Sequence, residues 1–171
     1  LYYKKDLKAN AAPHYKYVVE ASQSEFTEEA LSRLSQYHLE EKAWRKAIPL
    51  LQRLEEEANF PQNVIFAQSN LMKAYYQLEN YNQAVAYAVL TSSKIDNKIK
   101  SDAQVIIARS AIKTGDENRA KTAYAQVEKV ATGETAAEAL YYNAYFKNKE
   151  GKHEASNQSV QKLAKDFSGY K

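Results

Sequence analysis

The sequence predicts an all-α protein, a right-handed superhelical solenoid of antiparallel helix hairpins. Three observations carry that reading. A small residue recurs as Ala11, Ala47, Ala84, Ala120 and Ser156, at intervals of 36, 37, 36 and 36. Small side chains at such a period are what helix backbones need where they approach closely in stacked hairpins. Gly115, Gly133, Gly151 and Gly169 lie 18 apart, half that period. With only 4 Gly and 3 Pro in 171 residues, little else interrupts a helix. About nine helices are expected, as a half repeat over 1–24 and repeats over about 25–60, 61–96, 97–132 and 133–168.

Leu1 to Ala21 reads as the trailing helix of a first hairpin. Pro13 stands two residues after Ala11, as Pro49 does after Ala47, each about one turn into a helix, where few amides have intrahelical partners. Ser24 or Thr27 caps the next helix, and Glu28 and Glu29 face its positive end. Leu31, Leu34 and Trp44 form the packing face of that repeat. The run Glu55-Glu56-Glu57 points three ways around a helix, so it reads as solvated surface rather than a carboxylate site. Pro61 suits the first position of the following helix.

The stretch Asn70 to Ala88 shows the hairpin most clearly. Leu71, Ala74, Tyr75 and Leu78 share one helical face, and Tyr81, Ala84, Val85 and Ala88 share another. Asn80-x-x-Gln83 between them fits a capping box. Farther on, Asp96 or Asn97 opens a helix through Ile106, Ile107 and Ala111, and Asp116 caps its partner. Thr135-x-x-Glu138 fits a second capping box, before Leu140, Tyr141, Tyr142, Tyr145 and Phe146. A last helix is expected from about His153 to Phe167. Each glycine is expected to end a helix in the left-handed conformation. The chain starts at Leu1 rather than Met and turns toward a further helix at Ser168-Gly169-Tyr170-Lys171, so it reads as part of a longer array. Open solenoid ends of that kind favour self-association.

Composition narrows the function. The chain is 44% hydrophobic and 26% charged, which suits a folded domain rather than a disordered one. It has no cysteine, which removes thiol catalysis, disulfides and Cys-based zinc sites. His14, His38 and His153 fall in separate repeats, and no His-Glu-x-x-His spacing, nucleophile elbow or phosphate-binding glycine loop is present. No enzyme activity, cofactor or metal is expected. No apolar run approaches the roughly 18 residues of a membrane helix, so no direct membrane insertion is expected of this segment. With 24 Lys+Arg against 21 Asp+Glu, the net charge of +3 gives no reason to expect nucleic acid.

The pattern Leu71-Met72-x-x-Tyr75 followed by Ala84 resembles the tetratricopeptide repeat (TPR). Leu34-Ser35 with Ala47, Ile107-Ala108-x-x-Ala111 with Ala120, and Ala144 with Ser156 match it in part. Met72 replaces the usual small residue, and the period exceeds the family's 34 residues. The segment from Lys46 to Tyr76 is also similar to bacterial envelope repeat proteins, a group that includes periplasmic and outer-membrane scaffolds. The repeat resemblance implies a protein- or peptide-binding scaffold with a concave groove, and the envelope resemblance an exported location. A helical-repeat RNA binder and a purely structural spacer in a larger envelope assembly are the alternatives. In the resembled fold the groove would be lined by Phe66, Ser69, Lys73, Tyr76, Arg109, Ile112, Lys113, Tyr141 and Tyr145, and its basic and aromatic character would suit an acidic peptide with an apolar anchor. Tyr75, Tyr81, Tyr124 and Tyr142 are expected in the packing between repeats.

Overall fold

The computed structural model describes residues 7–93 and 96–169, and among them every regular element is a helix. The order is α1 (Lys8–Glu20), α2 (Thr27–Glu40), α3 (Trp44–Glu57), α4 (Pro61–Gln77), α5 (Tyr81–Ser92), α6 (Asn97–Thr114), α7 (Glu117–Val130), α8 (Gly133–Lys149) and α9 (His153–Asp166). Residues 1–6 of the expected first helix and Tyr170-Lys171 of the expected final turn lie outside the described residues. The chain forms two compact units, which meet in sequence between Tyr87 and Ala88, inside α5.

In the first unit α1 packs on α2, α2 on α3 and α3 on α4. Its core holds Leu31 and Leu34 of α2, Leu51 and Leu54 of α3, and Ala67 and Leu71 of α4, pairs three or four apart, so each of these helices buries one stripe. In the second unit α6 packs on α7, α7 on α8 and α8 on α9, around Val105, Ala108, Ala120, Tyr124, Val127 and Phe146. All five small residues of the 36-residue period are buried. Ser156 shows how close the helices come there: its hydroxyl donates to the Ala144 carbonyl of α8 at 2.8 Å.

The four inner turns share one geometry. Lys42, Glu79, Gly115 and Gly151 each follow a helix in the left-handed region, with φ of 54°, 59°, 76° and 76°. The next amide in each turn reaches back five residues: Ala43 to His38, Asn80 to Tyr75, Asp116 to Ala111 and Lys152 to Lys147, at 2.8 to 2.9 Å. This is the Schellman closure, which satisfies orphan carbonyls at a helix end. Two glycines differ from expectation. Gly133 has φ of 58° but begins α8 rather than ending α7, after Thr132 in extended conformation, and Gly169 is not in the left-handed region.

The helix starts are mixed. Asp96 accepts from the Ile99 amide at 2.9 Å and Asp116 from the Arg119 amide at 3.0 Å, as expected. Pro61 is the first residue of α4. Asn80 accepts from the Gln83 amide at 3.4 Å, the forward half of its capping box. Phe26, rather than Ser24 or Thr27, holds the cap position of α2, while Thr27 Oγ1 accepts from the Ser24 amide at 2.9 Å. Glu28 serves a different helix from the one expected. Its carboxylate accepts from the Asn59 and Phe60 amides at 3.0 and 3.2 Å and from Asn63 Nδ2 at 2.7 Å, at the N-terminus of α4. Desolvation opposes its charge, but the bonds from Asn63, Asn59 and Phe60 outweigh it and hold Glu28 below the usual carboxylate range. A carboxylate at the positive end of a helix explains why α4 needs no cap of its own.

Candidate functional site

Among the described residues most tyrosines are consumed by packing, and each unit uses a similar device. In the first unit Tyr75 and Tyr87 stack at 5.8 Å, and the Tyr87 hydroxyl donates to Glu55 at 3.0 Å. Burial, then the hydrogen bond and charge of Glu55, push the Tyr87 phenol above its ordinary range. Gln68 donates to the other Glu55 oxygen at 2.9 Å. Glu55 is therefore a half-buried acceptor, not part of a solvated acidic run. Of its neighbours, Glu56 is exposed and Glu57 pairs with Arg53 at 2.7 Å.

In the second unit Tyr124 and Tyr142 stack at 4.4 Å. The buried Tyr124 hydroxyl donates to Glu138 at 2.7 Å, and Arg109 clamps the same carboxylate with Nε at 2.9 Å and with Nη2. Burial works against the Glu138 charge, but hydrogen bonds from Arg109 and Tyr124 and the guanidinium charge outweigh it and lower its pKa. Burial, then the bond and charge of Glu138, raise that of Tyr124. The second expected capping box is therefore not formed. Thr135 lies inside α8, and Glu138 joins α6, α7 and α8 instead.

The expected groove residues divide on this basis. On α4, Phe66 is half-buried against the first core, and Ser69 is buried with its hydroxyl shielded, so it offers nothing to a surface ligand. Lys73 and Tyr76 are half-buried, and the Tyr76 ring meets Tyr81 edge-on at 5.8 Å. On α6, Arg109 is committed to Glu138, Ile112 packs against the second core, and Lys113 is exposed. On α8, Tyr141 and Tyr145 are 57% and 47% exposed. One turn apart, they share a helix face. Lys149, one turn beyond Tyr145, is bound to Glu117 at 2.6 Å. Its pKa is raised first by that hydrogen bond, with a smaller contribution from Tyr145.

Helical phase separates Tyr141 and Tyr145, which face solvent, from Tyr142, which lies between them and stacks on Tyr124. His38 is half-buried, His14 and His153 are exposed, and His153 Nδ1 lies 2.8 Å from Asn148 Oδ1. Among the described residues no group of three His, Cys, Asp or Glu side chains is placed to hold a metal ion, and no helix is long and apolar enough to cross a membrane.

No family model and no curated protein matches the sequence. Solved structures do match. A crystal structure of MamA superposes with a TM-score of 0.76 at 16% identity, covering 96% of this chain and 91% of that one. A structure of MamA AMB-1 gives 0.71 at 15% identity over 96% and 84%, and one of MamA MSR-1 gives 0.62 at 18% over 94% and 92%. At these identities the likeness establishes the fold, which is all-α and TPR-like.

Proposed function

We propose that this chain is a protein- or peptide-binding scaffold without catalytic activity, and that the solvent-exposed face of α8 is part of its contact surface. The observation that carries the reading is the exposure of Tyr141 and Tyr145, two large rings on one helix face that the core does not use. Tyrosine supplies apolar area with a polar tip, which suits a surface that alternates between water and a partner. The TPR-like fold supports the same function class. Lys113 adds positive charge on α6, which favours an acidic partner with an apolar anchor. An envelope location belongs to the same proposal and rests on the likeness of the segment from Lys46 to Tyr76 to envelope repeat proteins.

The test is capture of partners from source extract with the wild-type chain and with the double variant Tyr141→Ala/Tyr145→Ala. A partner held by these rings is lost from the variant while the circular-dichroism spectrum stays helical, since aromatic anchors contribute about 2 kcal/mol or more at an interface. Equal capture by both proteins overturns the reading. Lys113→Glu is expected to slow association and reduce its salt dependence more than it raises dissociation. A binding partner that proves to be RNA, with a steep salt slope, moves the protein to the other helical-repeat class.

A further inference from the structure

The second unit holds a cavity that the tyrosine face does not explain. It opens between α7 and α8 and has a volume of about 430 Å³. That is within the roughly 300–1,000 Å³ usual for ligand pockets. Its apolar lining comes from the exposed Ala125 and from the small part of Phe146 that the second core leaves uncovered, and its cations are Lys121, Lys129 and Lys147. At about 100° per residue, Asn143, Phe146 and Lys147 stand on the side of α8 opposite Tyr141 and Tyr145.

The charges around the cavity do not cancel. Lys121 pairs with Glu150, which Lys152 also binds at 2.8 Å, and Glu128 on the wall pairs with Lys162 at 3.7 Å while it accepts from Asn143 at 2.7 Å. That leaves two ammonium groups. Lys147 is half-buried, and its Nζ donates to the neutral Ser159 hydroxyl at 2.9 Å. Lys129 reaches the neutral Gln126 amide at 3.5 Å. Among the described residues neither lysine has a carboxylate within ion-pair distance. A partly desolvated ammonium without a counter-charge is costly, and a carboxylate brought to it relieves that cost.

We propose that the α7/α8 cavity is a second binding site, separate from the tyrosine face, for an acidic segment of a partner protein. The segment places an apolar side chain against Phe146 and Ala125 and flanking carboxylates on Lys147 and Lys129. Phe146 supplies the apolar contact, and the lysines select the sign of the flanking charge.

The test is a titration of the ¹⁵N-labelled protein with three acetylated, amidated tripeptides, Glu-Phe-Glu, Glu-Ala-Glu and Lys-Phe-Lys, followed by NMR. Glu-Phe-Glu is expected to give saturable shifts at Ala125, Asn143, Phe146 and Lys147. Glu-Ala-Glu and Lys-Phe-Lys are each expected to bind at least about fivefold more weakly. Lys147→Glu and the exposed Lys129→Glu are both expected to weaken Glu-Phe-Glu by about fivefold or more, whereas Lys165→Glu, with the same change in net charge, leaves it unaltered. Lys129→Glu keeps the test informative if loss of the Lys147 to Ser159 bond disturbs the fold. No saturable shift, equal binding of Lys-Phe-Lys, or shifts centred on Tyr141 and Tyr145 would overturn the proposal; the last outcome would leave the tyrosine face standing as the contact surface.

Discussion

Glu138 shows how one side chain joins helices that are far apart in sequence. It takes a hydrogen bond from Tyr124 of α7 and a clamp from Arg109 of α6. Replacing it with alanine strands a buried phenol and removes the guanidinium's partner, which costs about 1–3 kcal/mol by the usual penalty for an unsatisfied buried group. The Arg109 side chain is 42% exposed, so screening puts its share at the low end. Glu138→Gln keeps an acceptor for Tyr124 and is expected to cost less than Glu138→Ala in urea unfolding. The pH dependence has a definite sign. The folded pKa of Glu138 lies below its unfolded value, near about 4.3. Its contribution is therefore complete above that pH and is lost as pH falls through the folded pKa. Glu138→Gln removes this acid-limb loss, and a set of urea midpoints between neutral and acid pH measures it. Neither the clamp nor the burial of Glu138 was legible in the sequence. Thr135-x-x-Glu138 matches a local capping pattern, and a local pattern carries no information about an arginine 29 residues upstream.

At the scale of the helical elements, the inner turns separate what a sequence discloses from what it hides. Four turns need a left-handed residue, yet only Gly115 and Gly151 announce it. Lys42 and Glu79 adopt the same conformation because the Schellman bonds and the packing of the flanking helices outweigh a local cost of roughly 1–2 kcal/mol. The period of small residues, by contrast, was fully readable, since close helix approach leaves no alternative to a small side chain. A Cβ added at Gly115 or Gly151 meets nothing within 4 Å, so substitution there tests backbone conformation alone. Gly115→Ala and Gly151→Ala are expected to destabilise by about 1 kcal/mol each. Lys42→Gly and Glu79→Gly are expected to stabilise by up to about 1 kcal/mol, the relief of strain being partly offset by the larger entropy of glycine in the unfolded chain. Thermal melts of the four single variants measure both signs. A loss of stability in both Lys42→Gly and Glu79→Gly would mean that those side chains matter more than the turn.

For the whole molecule, two separate cores imply more than one level of stability. Leu51 is fully buried in the core of the first unit and Val127 in that of the second. In helical-repeat proteins stability is approximately a sum of repeat terms and nearest-neighbour interfaces, so a core defect acts most strongly on its own surroundings. Leu51→Ala removes buried methyl groups and leaves a cavity, at a cost of about 2–5 kcal/mol. Val127→Ala removes fewer atoms and costs less. The measurement that distinguishes local from global loss is amide hydrogen exchange, which reports the opening of each segment separately. Leu51→Ala is expected to speed exchange chiefly in α1 to α4, and Val127→Ala chiefly in α6 to α9. Chemical unfolding of Leu51→Ala then broadens or splits relative to the wild type, because the damaged unit opens at lower urea than the intact one. If exchange accelerates evenly from α1 to α9 in both variants, the two cores open together and the division at Tyr87 and Ala88 has no energetic counterpart.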